Sequence, residues 1–169
     1  YPCLRSKQCK KQICDQMSME PIIQNITRET LKNWRVAELA RDRDGPDASI
    51  ATEDQLLESR RLAVADDADV SDFWVFGYGS LIYNPIIEHS KRAIASIYGY
   101  HRRFCLWTKI GRGSPSCPGL VLSLDRGGSC KGVAFQLKPQ NAIAELDLLW
   151  RREMMTMAYQ PRLLSLHTD

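Results

Sequence analysis

No Cys-x-x-Cys pair occurs among the six cysteines, Cys3, Cys9, Cys14, Cys105, Cys117 and Cys130. A thiolate zinc site is therefore not expected. His89, His101 and His167 lack metal-ligand spacing as well, so the sequence implies no metal. No apolar run approaches the roughly 18 residues of a membrane helix. The basic start of the chain is not followed by the apolar stretch of a signal peptide. These absences predict reduced, unpaired thiols in a cytoplasmic protein. A charge excess is also missing from most of the chain. The net charge of +3 arises within residues 1–16, where Arg5, Lys7, Lys10 and Lys11 face Asp15 alone. The balanced remainder gives no footing for nucleic acid or an anionic membrane.

What is present is ordinary in bulk and specific in places. A chain of 169 residues can bury one sizeable core. It starts at Tyr1, and its first methionines are Met17 and Met19. Residues 1–16 lack apolar periodicity and read as a disordered arm, or as upstream sequence foreign to the domain. Residues 17–72 read as a helical extension. One helix is expected over 27–44, stopped by Gly45-Pro46, and a second from Thr52 to about Ala65. Thr52-Glu53-Asp54-Gln55 fits a capping box.

From Phe73 the pattern changes to strands. The run Phe73-Trp74-Val75-Phe76-Gly77-Tyr78-Gly79-Ser80-Leu81-Ile82 carries a buried strand straight into a loop with two glycines, a phenol and a hydroxyl. Such a loop can aim several backbone N–H groups at one ligand. Two familiar uses fail. No Lys-Ser/Thr follows to make a phosphate cradle, and Asn84-Pro85 interrupts a following helix. The hydrolase elbow Gly-x-Ser-x-Gly is absent, so Ser80 lacks the setting of a nucleophile. Further on, residues 93–107 predict a long or bent strand and 120–124 another. Residues 125–129 predict a hairpin turn and 132–137 its return strand. Pro139 suits the first position of a helix. A last strand is expected over 159–166.

Glu153 is the second notable feature. At about 100° per residue, with Ala142 at 0°, Leu146, Leu149 and Trp150 fall near 40°, −20° and 80°, and Glu153 near 20°. A carboxylate in an apolar stripe is costly unless it is paired or used. Burial would raise its pKa toward values useful for proton transfer. The plainer alternatives are that the helix ends near Trp150, or that Glu153 pairs with Arg103 or Arg112. The neighbouring charges Glu145, Asp147, Arg151 and Arg152 fall on other faces.

The run from Trp74 to Pro85 closely resembles the signature of the ChaC family of γ-glutamylcyclotransferases. Four later segments agree in order: His101-Arg102-Arg103-Phe104-Cys105-Leu106, Gly111-Arg112-Gly113 with Pro118-Gly119, Gly132-Val133-Ala134-Phe135-Gln136-Leu137, and Leu148-Leu149-Trp150-Arg151-Arg152-Glu153-Met154. Tyr83 stands where the family often has Trp. Ile26-Thr27-Arg28-Glu29 resembles the start of bacterial-type members, consistent with a start at Met17 or Met19.

The resemblance implies an α+β fold, a small mixed β-barrel with flanking helices, with the catalytic domain over 73–169. It implies cleavage of glutathione to 5-oxoproline and Cys-Gly without a cofactor, by a monomer. Glu153 matches the catalytic glutamate. Val75, Phe76, Gly77, Tyr78, Gly79, Ser80 and Leu81 match the substrate loop, and Tyr159 matches a pocket tyrosine. Family members continue beyond the position of Asp169, so the barrel is expected to be incomplete, and this chain alone to fold poorly or lack activity. Other γ-glutamyl amino acids or γ-glutamylamines are alternative substrates. A non-catalytic binding module of the same fold is the alternative of a different class.

Overall fold

A computed structural model describes residues 26–44, 49–109, 113 and 117–168. Residues 1–16 and Arg112 lie outside the described residues. The first helix is split. Helix α1 (Arg28–Lys32) starts at Thr27, whose hydroxyl accepts from the Thr30 N–H in a capping box. It ends at Asn33, and α2 (Arg35–Asp44) follows. The single helix expected over 27–44 breaks because Trp34 takes a left-handed backbone, φ 56°. Tertiary contacts hold it there: its Nε1 donates to Glu53 Oε2 at 2.9 Å, and the Arg151 guanidinium lies 5.4 Å from its ring centre. Helix α3 (Glu53–Ala63) begins at Thr52 with the expected box, Gln55 reaching back to the Thr52 N–H at 2.9 Å.

Strand β1 (Trp74–Gly77) leads into a single helical turn, α4 (Ser80–Tyr83). Strands β2 (His89–Thr108) and β3 (Gly119–Leu137) form a long antiparallel ribbon. The hairpin turn expected over 125–129 is not formed, because β3 runs straight through it. Tyr98 pairs with Ser129 and Tyr100 with Arg126, so Gly127 and Gly128 oppose Gly99 alone. All three glycines have positive φ, and both strands bend together at this bulge. A 3₁₀ turn (Pro139–Asn141) then opens α5 (Ala142–Glu153). Residues 159–166 are not a strand. Strand β4 is His167–Thr168, pairing with Ala95 and Ser96.

The sheet has four strands in the order β1-β3-β2-β4, and every pairing among the described residues is antiparallel. The fold is α+β, and the sheet is open rather than closed into a barrel, in line with the incomplete barrel expected; its described pairings are antiparallel and not mixed. Closure needs the two edge strands to meet at a consistent stagger. Here those edges are only four and two residues long and stand on opposite sides of the ribbon.

One apolar core unites the elements. Leu31, Val36, Leu56 and Val64 from the helices pack in the same cluster as Val75, Ile87, Phe135 and Leu137 from the sheet. Leu146, Leu149, Trp150 and Met154 on or just past α5 complete it. The stripe predicted for α5 is therefore its core face, and that packing fixes where the helix's last residue points. No helix among the described residues is long and apolar enough to cross a membrane.

Candidate active site

Val75 is buried in β1, and the chain leaves the sheet at Gly77. That exit requires close approach. A Cβ on Gly77 would lie 3.2 Å from both Leu81 Cβ and the Phe135 ring. On the facing strand, a Cβ on Gly132 would lie 2.7 Å from Phe76 Cζ and would collide with the Gly77 carbonyl. The two glycines let β1 sit tight on β3, which sets the loop's starting point.

A cavity of about 1280 Å³ opens beside this loop. Val75, Phe76, Tyr78, Gly79, Ser80 and Leu81 line it, and so do Glu153 and Tyr159. Gly77 is packed behind the wall. Helix α5 extends through Glu153, so the side chain does not turn away to solvent after Trp150. Nor does it pair with Arg103, which bonds Asp125 at 2.9 Å. Its partner is Arg152, with Nε 3.0 Å from Glu153 Oε1.

The Glu153 side chain keeps 29% of its accessible area, and that area faces the cavity. Burial among packed atoms pushes its carboxyl above the usual range, outweighing the opposite pull of the Arg152 charge. Tyr78 stands nearby. Burial raises the pKa of its phenol, the neighbouring Ser123 hydroxyl opposes this, and the Glu153 charge adds to the rise. Tyr78 is thus a neutral donor beside a carboxyl poised to take or give a proton.

Several polar residues that the sequence reading set aside shape this site. Arg152 Nη2 donates to Ser80 Oγ at 3.0 Å, and its Nη1 donates to the Asn84 carbonyl. Arg28 Nη1 donates to the Ile86 carbonyl at 2.6 Å. Ile86 itself has φ 54°, and the Ile87 N–H returns to the Pro85 carbonyl at 2.6 Å, a tight γ-turn. A β-branched residue in this region is strained. The strained turn closes the segment that carries the loop back to β2, and two arginines grip its carbonyls. The helical wheel held a signal for both flanks: Glu145, the partner of Arg28, and Arg152 fall near −60° and −80°, beside the apolar stripe.

Among the described residues, no group of three or more His, Cys, Asp or Glu side chains could hold a metal ion. Cys105 and Cys130 are free thiols.

An open antiparallel sheet, a glycine-bearing loop at a strand end and a desolvated glutamate facing one cavity define an α+β domain equipped for acid–base chemistry on a small ligand. The chain belongs to the ChaC-like protein family, whose profile matches residues 73–169. It is 40% identical over 116 residues to the glutathione-specific γ-glutamylcyclotransferase of Escherichia coli (strain K12), covering 69% of this chain and 50% of that protein. It is 34% identical over 99 residues to glutathione-specific γ-glutamylcyclotransferase 1 of Homo sapiens, covering 57% of this chain and 45% of that one. The fold is similar to the crystal structure of a γ-glutamyl cyclotransferase specific to glutathione from yeast. The TM-score is 0.52 at 28% identity, over 59% of this chain and 54% of that chain. The chain spans about half the length of the curated relatives it matches.

Proposed function

We propose that the protein cleaves glutathione to 5-oxoproline and Cys-Gly, with Glu153 as the proton shuttle. The observation that carries this is the Glu153 carboxyl, raised by burial and facing the cavity that the 75–81 loop lines. In this reading residues 73–169 carry the catalytic apparatus and residues 17–72 are a helical extension. The protein acts as a cytoplasmic monomer.

The substrate's α-ammonium gives a proton to the Glu153 carboxylate. The freed amine attacks the γ-glutamyl carbonyl carbon and closes a five-membered ring. Negative charge develops on the carbonyl oxygen, where loop N–H groups stabilise it. The C–N bond to cysteine then breaks as Glu153 returns the proton to the departing amine, and the extra proton left on the ring nitrogen passes to that amine as well, so that 5-oxoproline with a neutral ring nitrogen and the ammonium form of Cys-Gly are released. No water is consumed and no enzyme nucleophile is needed. Because amine and carbonyl belong to one molecule, the protein's main task is to hold them at reacting distance. Val75 to Leu81 bind the γ-glutamyl end, with Tyr78 and Ser80 adding side-chain contacts and Tyr159 lining the far wall.

The test is 5-oxoproline release by the full-length protein and its Glu153→Gln variant, with glutathione and with γ-glutamyl-alanine. Turnover of glutathione alone, reduced by about 10²–10⁴-fold in the variant, is the expected result. Equal activity in the variant removes Glu153 from the reaction. Equal turnover of γ-glutamyl-alanine makes the substrate class broader than glutathione.

A further inference from the structure

Arg151 and Arg152 reach in opposite directions from the end of α5. Arg151 caps the α1 end, donating to the Lys32 carbonyl at 2.8 Å. Arg152 turns inward, and its side chain keeps only 7% of its accessible area. A buried guanidinium is expensive unless its donors are satisfied. Here one rigid plane meets Glu153 Oε1 through Nε, Ser80 Oγ through Nη2 and the Asn84 carbonyl through Nη1. It does not line the cavity itself.

We infer that Arg152 is a positioning residue, a strut that fixes the spacing between Glu153 and the Ser80 end of the loop. The inference rests on the glutathione-cleavage reading above. Its geometry has a chemical consequence for Ser80. A guanidinium has no acceptor, so Ser80 Oγ must accept from it. The Ser80 O–H is thereby left to donate into the cavity that Ser80 lines. Lysine could supply the charge, but a single ammonium cannot reproduce the planar fork across three acceptors.

Arg152 also carries the positive charge that bears on Glu153. Tyr78 faces Glu153 from the loop after β1. Asp72, Asp125, Arg126 and Arg162 line other parts of the same cavity. Removing the Arg152 charge leaves burial unopposed at Glu153, so its carboxyl loses its proton only at higher pH.

The test uses Arg152→Gln and Arg152→Lys in the full-length protein, with thermal unfolding and pH profiles of glutathione turnover. Both variants are expected to lose about 100-fold in kcat, the scale of a misplaced reacting group. In Arg152→Gln the acid limb of kcat/KM moves to higher pH, whereas in Arg152→Lys it stays near the wild-type position. A wild-type kcat in Arg152→Lys overturns the inference. So does reduced activity in a folded Arg152→Gln whose acid limb has not moved, which is the mark of a purely structural role. If Arg152→Gln fails to unfold cooperatively, the kcat of Arg152→Lys decides alone. An active Glu153→Gln would instead bring down the reaction assignment. An inactive Glu153→Gln beside a fully active Arg152→Lys brings down only the strut.

Discussion

Arg28 holds both carboxylate oxygens of Glu145, Nη1 to Oε2 at 2.6 Å and Nη2 to Oε1 at 2.8 Å, joining the first helix to the helix that ends in Glu153. Glu145 is buried, yet Arg28 remains partly exposed. Burial pushes the Glu145 carboxyl up, but the Arg28 bonds and the Glu88 N–H outweigh it and leave it below the ordinary range. The fork is bidentate, and Arg28 also bonds the strained carbonyl of Ile86.

Removing Arg28 strands a buried anion. Arg28→Ala is expected to cost about 3 kcal/mol or more in denaturant unfolding. Adding Glu145→Gln should recover part of that loss, because the uncompensated charge is gone. The wild-type contribution has a pH signature. A depressed carboxyl stabilises the fold above the unfolded-chain value, about 4.3, and loses this as pH falls through its depressed folded value. A free energy of unfolding in Arg28→Ala equal to wild type at pH 7 would refute the prediction.

Gly132 bears on the loop from behind. A methyl there meets Phe76 and the Gly77 carbonyl, and the backbone carbonyl cannot swing away as a flexible side chain could. Gly132→Ala should destabilise by about 1–3 kcal/mol, as overpacking does. It should also lower glutathione turnover, because β1 must shift and carry the loop with it. A crystal structure of the variant with β1 unmoved would contradict this.

The parts of this architecture legible in the sequence are those written locally. The capping box at Thr52 survives because all its atoms lie within one turn. The strand before Gly77 and the apolar face of α5 follow from short-range periodicity, so Glu153 could be placed on the core side. The rest depended on distant partners. Gly127-Gly128 carries the same signal for a turn and for a bulge, since both need positive φ, and only pairing with Gly99 on β2 decides. Arg60 looks like a surface residue of α3 but is buried. Its Nε bonds Asp147 at 2.7 Å, 87 residues away, and its Nη1 bonds Asp66 at 2.6 Å. Arg152 could be placed off the apolar stripe, but not read as the link to Ser80, because that bond spans 72 positions.

Glu153 should leave a trace in stability as well as in rate. Its carboxyl is raised on folding, so the neutral form's advantage is present below the unfolded value and is lost as pH rises through the folded one. Glu153→Gln cannot ionise and escapes that loss. The stability gap between variant and wild type should therefore be small in acid and grow in the variant's favour toward neutral pH. Each 1 kcal/mol of gap appears as about 2–4 °C in Tm for a chain of this size. A gap that is constant with pH would mean that burial does not perturb Glu153.

Arg151 provides the contrast to its neighbour. It donates to the Leu31 carbonyl at 3.4 Å and to the Lys32 carbonyl at 2.8 Å, pairs with Glu53, and lies over the Trp34 ring. These contacts bind α5 to the α1–α2 break and to α3, away from the cavity. Charged hydrogen bonds to helix-end carbonyls and a cation–π contact each contribute on the order of 1 kcal/mol. Arg151→Ala should therefore lower stability by about 1–3 kcal/mol. The acid limb of its kcat/KM profile should coincide with wild type, since Arg151 does not bear on the Glu153 carboxyl. Adjacent arginines would then separate by assay, one read in the unfolding midpoint and the other in the pH profile. A shifted acid limb in Arg151→Ala would show that the end of α5 moves as a unit and that the two roles are not separable.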